Sequence, residues 1–115
     1  MKIALDYDLT YSADKVFWNN FIHMASFRDD VKIYIVTARH PVKDELSNEQ
    51  VHPSVRAILE DIIYCNGVAK KWHLHHNHDL DIDVWIDDNP NNIMNNSSAS
   101  KEFLVEWRNS EEYKS

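Results

Sequence analysis

The sequence predicts an α/β fold, a single doubly wound parallel sheet with helices on both faces. Three observations point to it. Short apolar runs rich in β-branched and aromatic residues alternate with segments of helical periodicity over most of the chain. Two of those runs, Ile3-Ala4-Leu5 and Val84-Trp85-Ile86, are followed by paired acids, Asp6 with Asp8 and Asp87 with Asp88. A third run, residues 31–37, is almost continuously apolar, as a strand covered on both faces must be.

Each element follows from local pattern. Residues 2–6 form the first strand, and residues 13–27 form a helix carrying Val16, Phe17, Phe21, Met24 and Ala25 at roughly helical spacing. Residues 31–37 are the second strand. A second helix starts near His52-Pro53, proline suiting a first helical position, and sets Val55, Ile58, Leu59 and Ile62 at i, i+3, i+4 and i+7. Residues 62–65 make a short third strand closed by an Asn66-Gly67 turn, residues 70–78 a weakly marked helix, and residues 84–87 the fourth strand. Asn89-Pro90 reads as a helix cap and first helical residue. Residues 91–98 are an Asn- and Ser-rich loop or frayed turn; Phe103, Leu104 and Trp107 mark a last amphipathic helix, with a solvated tail from Asn109.

Composition excludes several classes. A chain of 115 residues suits one domain with its own core. The net charge of -7 and pI near 5.4 argue against general nucleic-acid or anionic-membrane binding, which needs clustered Lys and Arg. No apolar stretch approaches the roughly 20 residues of a membrane span. A strand beginning at about residue 2 leaves no room for a signal peptide, and a lone Cys65 makes no internal disulfide, so a reducing, cytoplasmic setting is expected. One glycine in the chain excludes glycine-rich phosphate loops.

In a doubly wound sheet, ligands bind at the carboxyl ends of the strands, where the winding reverses. If the chain winds outward from the first strand and then returns to its other side, the strand order is 3-2-1-4 and Asp6 neighbours Asp87. The acids Asp6, Asp8, Asp87 and Asp88 then face one another, which their repulsion opposes unless a divalent cation neutralises them. Ligands that are all oxygen favour magnesium.

D-Y-D-L-T after the first strand, I-V-T ending the second, a lysine opening a later helix and W-I-D-D ending the fourth strand resemble the four motifs of the haloacid dehalogenase superfamily. The resemblance spans residues 1 to about 95. Leu9 stands where many relatives carry glycine, and a customary fifth strand is not evident. The resemblance implies a Rossmann-like sheet and a magnesium-dependent phosphatase. Asp6 would be the nucleophile forming an aspartyl-phosphate, and Asp8 the general acid and base, its backbone carbonyl also reaching the metal. Thr37 would donate to a phosphoryl oxygen, Lys70 would offset phosphate and carboxylate charge, and Asp87 would bind magnesium with Asp88 beside it or acting through water.

Plainer readings compete at each position. Asp6 and Asp8 alone fit a strand cap and turn, and threonine is common in strands. Lys70 and Lys71 are adjacent, both are candidates for the site lysine and for phosphate binding, and the family spacing from Gly67 favours Lys70. Arg39 and His40 follow Thr37 at the same sheet end and are candidates to contact the substrate beyond its phosphate. His73, His75, His76 and His78 crowd one segment; spacing of three sets His73 with His76, or His75 with His78, on one face, without a full ligand set for zinc or nickel. The four tryptophans read as packing residues, Trp72 being the best exception.

Only 26 residues separate Thr10 from Thr37 and 32 separate Thr37 from Lys70, and secondary structure fills most of both intervals. A separate cap domain needs roughly 50 residues, so the expected fold is capless and its site open. An open site admits a nucleotide, a sugar phosphate or a phosphate at the end of a macromolecule, or is closed by another copy of the chain in a homo-oligomer. Two other classes are weighed: a module that binds magnesium and phosphate without turnover, which has no need of Asp8, and a phosphoacceptor receiver domain, which expects an acid where Cys65 stands.

Overall fold

In a computed structural model, residues 1–96 are described. Four strands, β1 (Lys2–Leu5), β2 (Lys32–Thr37), β3 (Asp61–Tyr64) and β4 (Val84–Ile86), pair in parallel in the order β3-β2-β1-β4. This is the 3-2-1-4 order the sequence predicts. Its central strands alternate their side chains between two cores. On one face Ile3, Leu5, Ile33 and Ile35 pack with Ile22 of α1 (Lys15–Ala25) and Val55 of α2 (Pro53–Arg56). On the other, Ala4, Tyr34, Val36 and Ile63 pack with Leu74 of α3 (Lys70–His78). The short α4 (Asn91–Met94) follows β4. The expected helix around Phe103, Leu104 and Trp107, the tail beyond it, and residues 97–98 of the expected loop lie outside the described residues.

Two helices depart from expectation. In α1, capped by the Asp14 carboxylate accepting the Phe17 N–H at 3.1 Å, the buried side is Trp18, Phe21, Ile22 and Ala25, an i, i+3, i+4, i+7 set. Val16, Phe17 and Met24, which belong to the apolar set that marked the helix in the sequence, are 74%, 56% and 73% exposed. Apolar residues occur on both sides of this helix, so periodicity identified a helix but not its phase. The second helix is a single turn. Ile62 was expected both on its face and at the start of the third strand; it is paired opposite Ile35 in β3, as the strand reading has it, and not on the helix. His52 caps that turn, its Nδ1 accepting the Ser54 N–H at 3.1 Å.

At the boundaries of α3 the sequence is followed closely. Asn66 (φ 53°) and Gly67 (φ 75°) take consecutive left-handed conformations that reverse the chain after β3 and release it into α3 at Lys70. Asp79, at φ 48°, ends α3 in the left-handed cap position. Pro90 is the cap of α4 rather than its first residue, while the Asn89 N–H donates to the Asp87 carboxylate at 2.9 Å.

Candidate active site

Register brings the acids together. Leu5 pairs with Ile86, and the ladder runs one residue further, the Asp6 N–H donating to the Ile86 carbonyl at 2.9 Å. Asp6 and Asp87 therefore leave adjacent strands side by side. Lys70, the first residue of α3, reaches between them: its Nζ is 2.7 Å from Asp6 Oδ1 and 2.6 Å from Asp87 Oδ2. All three side chains are buried, Lys70 at 1% exposure and Asp87 at 2%. Lys71 falls about 100° further round the helix and is exposed. The structure thus brings Lys70, and not Lys71, to the carboxylates.

Thr10 ties the cluster from the β1 side. Its Oγ1 lies 3.4 Å from Asp6 Oδ2 and 3.2 Å from Asp88 Oδ1, and accepts the Asp88 backbone N–H at 3.0 Å. The hydroxyl has one proton for its two carboxylate neighbours, so it serves one at a time. Thr10 reaches this position because the turn after β1 folds back. The Tyr11 N–H donates to the Asp6 carbonyl, the Ser12 N–H to the Tyr7 carbonyl, and the Leu9 N–H to Ser12 Oγ. The turn drives Leu9 to φ 63°, a left-handed conformation that a branched aliphatic residue adopts at a cost. That is the position where the family resemblance implied glycine.

Asp8 points elsewhere. The Arg39 guanidinium grips its carboxylate with a two-pronged pair, Nε to Oδ2 at 3.0 Å and the second terminal nitrogen to Oδ1 at 2.8 Å. Arg39 also lies over the Tyr7 ring, 5.1 Å from its centroid, and donates to the Asp44 carbonyl at 3.3 Å. Thr37 ends β2 fully buried, its Oγ1 accepting the Arg39 backbone N–H at 3.2 Å. That bond leaves the Thr37 proton free for another acceptor.

The acidic cluster could hold a cation. Lys70 lies against Asp6 and Asp87, and Asp88 joins the same acidic cluster, so three carboxylates and one ammonium leave two negative charges when all are ionised. Burial, with Asp88 and Asp87 close by, outweighs Lys70 and pushes the Asp6 carboxyl up to about 7. Burial opposes the charge on Lys70, but Asp6 and Asp87 overcome it and hold the ammonium above its ordinary range. One oxygen from each of Asp6, Asp87 and Asp88 lies within 4.8 Å of the others, the only such metal-capable grouping among the described residues. Around an octahedral magnesium ion with oxygens at about 2.1 Å, neighbouring ligands lie about 3 Å apart and opposite ones about 4.2 Å, so the three carboxylates would have to draw in around the ion. The donors are all hard oxygens, which fit that ion.

The histidines form no such grouping among the described residues. Buried His73 faces Asn77 and His78, its ring nitrogens 3.0 Å and 3.3 Å from theirs, and burial with His78 alongside pushes its imidazole down to about 4. His75 pairs with Asp81 at 2.9 Å, and His76 lies against Trp72. The open hollows around Glu45, Arg56 and Tyr64 include none of the carboxylate cluster.

Thr10 and Tyr7 are the site residues that sequence reasoning left without a role. Thr10 was visible as the last letter of D-Y-D-L-T, but its reach to Asp88 depends on the turn, and Tyr7 acquires a role only through Arg39. No family model, curated protein or solved structure matches the chain. No helix among the described residues is long and apolar enough to cross a membrane.

Proposed function

We propose that this chain is a magnesium-dependent phosphomonoester hydrolase of the haloacid dehalogenase type, with an open, capless site and an aspartyl-phosphate intermediate. The carrying observation is the convergence of Asp6, Asp87, Asp88, Lys70 and Thr10 at the carboxyl ends of two adjacent parallel strands.

An Asp6 carboxylate oxygen attacks phosphorus while the bond to the leaving oxygen breaks, and Asp8 supplies the proton that oxygen takes. Asp8 then removes a proton from water, the water oxygen attacks the same phosphorus, and the carboxylate of Asp6 is released with inorganic phosphate. Lys70 offsets charge at the nucleophile, and the Thr37 hydroxyl donates to a phosphoryl oxygen. Magnesium held by Asp6, Asp87 and Asp88, with the Asp8 carbonyl, would neutralise the dianionic phosphate against these acids. Thr10 orients Asp88.

A second reading draws on the engagement of both Asp8 oxygens by Arg39. It is a module that binds magnesium and phosphate without turnover. Phosphate release from nucleotides, sugar phosphates and end-phosphorylated oligonucleotides, with magnesium and with chelator, separates the two. Magnesium-dependent release that Asp6→Asn abolishes supports the hydrolase; magnesium and phosphate binding with no release from any compound supports the module.

A further inference from the structure

Arg39 and Asp8 are unequal partners in their ion pair. Arg39 is one-quarter exposed and held from three other sides, by the buried Tyr7 ring, the Asp44 carbonyl and, through its own backbone, Thr37. Asp8 is half exposed, and both its oxygens are taken by the guanidinium. The arginine thus has other contacts that hold it in place, and the more exposed aspartate is the partner with room to move. The vacated fork then presents parallel N–H donors, suited to another doubly accepting anion.

We propose that Arg39 is a specificity residue that takes a second phosphate group of the substrate in exchange for Asp8, and that this exchange frees Asp8 to turn toward Asp6. The inference rests on the phosphate-site reading above. A carboxylate would replace Asp8 by its equal, whereas a phosphate dianion brings more charge and an additional acceptor oxygen. The displacing group is therefore a phosphate. Asp6 and Asp8 lie two residues apart, so their Cα atoms are within about 7.6 Å, and the second phosphate sits close to the reacting one on the same small molecule or nucleotide end. Binding thus assembles the catalytic pair only around a doubly phosphorylated ligand, as in induced fit.

The test is calorimetric binding in an Asp6→Asn background, which blocks the covalent step, with magnesium present and adenosine 3′,5′-bisphosphate, 3′-monophosphate and 5′-monophosphate as probes. The bisphosphate should bind about tenfold tighter or more than either monophosphate. Adding Arg39→Gln should erase that preference, and Arg39→Lys should retain part of it. Adding Asp8→Asn should tighten the bisphosphate several-fold, because the competing anion is gone; a purely structural ion pair would not produce this gain. Equal affinities for all three probes, equal losses for all three in Arg39→Gln, weaker bisphosphate binding in Asp8→Asn, or no binding at all would each overturn the proposal. Absence of phosphate release by the unaltered chain, with the binding preference intact, would instead remove the hydrolase reading alone.

Discussion

The Lys70 ammonium stands 2.7 Å from the Asp6 carboxylate and also within 2.6 Å of Asp87, at a position where it is almost fully buried. Removing one partner of a buried ion pair leaves the others uncompensated and costs about 3–5 kcal/mol. Lys70→Gln should lower the urea-unfolding free energy by an amount of that order in metal-free protein, and saturating magnesium should recover part of the loss. Lys71→Gln, at the exposed neighbour, should stay within about 0.5 kcal/mol of the unaltered chain. Equal effects at the two positions would contradict the assignment of Lys70.

The raised Asp6 pKa has a definite sign in stability. A carboxyl whose folded value is near 7 contributes stability that is fully present below its unfolded value and is lost as pH rises through about 7. His73, pushed down to about 4, acts in the opposite direction, its contribution being lost as pH falls from its unfolded value toward about 4. Comparison with Asp6→Asn at each pH isolates the carboxyl. With chelator present, unfolding free energies should show the unaltered chain losing roughly 2–3 kcal/mol relative to Asp6→Asn between about pH 5 and about pH 8. Magnesium should suppress that loss, because a cation stabilises the ionised form.

Thr10 accepts the backbone N–H of Asp88 while lying against two carboxylates. Thr10→Val keeps the shape but strands that N–H, so it should cost about 1–3 kcal/mol and weaken magnesium binding measured by calorimetry. Thr10→Ser should recover most of both losses. If Thr10→Val bound magnesium as the unaltered chain does, Thr10 would have no part in the site.

Leu9 is 74% exposed and held at φ 63°. Leu9→Gly removes the left-handed penalty of about 1–2 kcal/mol and adds back roughly 0.5–1 kcal/mol of chain entropy. A net gain of about 0.5 kcal/mol should appear in chemical denaturation, whereas Leu9→Val should destabilise.

The parallel sheet and its strand order were legible because each strand is a distinct β-branched run, and because acids after β1 and β4 make sense only when those strands are neighbours. The α3 boundary was legible from Asn66-Gly67 and the lysines that follow. The inward side of α1 was not, since Val16, Phe17 and Met24 are as apolar as the Trp18, Phe21 and Ile22 that the sheet selected. The length of α2 was hidden because Ile62 fits a helical face and a strand equally well, and pairing with Ile35 decides between them. In the site, Asp6 and Asp87 could be read from strand-end positions, whereas the helix start left Lys70 and Lys71 both open and only the family spacing from Gly67 favoured Lys70. The Arg39 and Asp8 pair could not, because the two residues lie 31 positions apart and meet only through the packing of β1 against β2.

The covalent step on Asp6 is the centre of this account, and a quenched single turnover tests it most directly. The chain is mixed with magnesium and a phosphomonoester found to be turned over, stopped in acid at short times, and the peptide containing Asp6 is mapped by mass spectrometry. The account predicts one phosphoryl group on Asp6 that forms and decays as phosphate appears, requires magnesium and is absent in Asp6→Asn. Phosphate release that persists in Asp6→Asn, or a phosphoryl group carried on another residue, would contradict it.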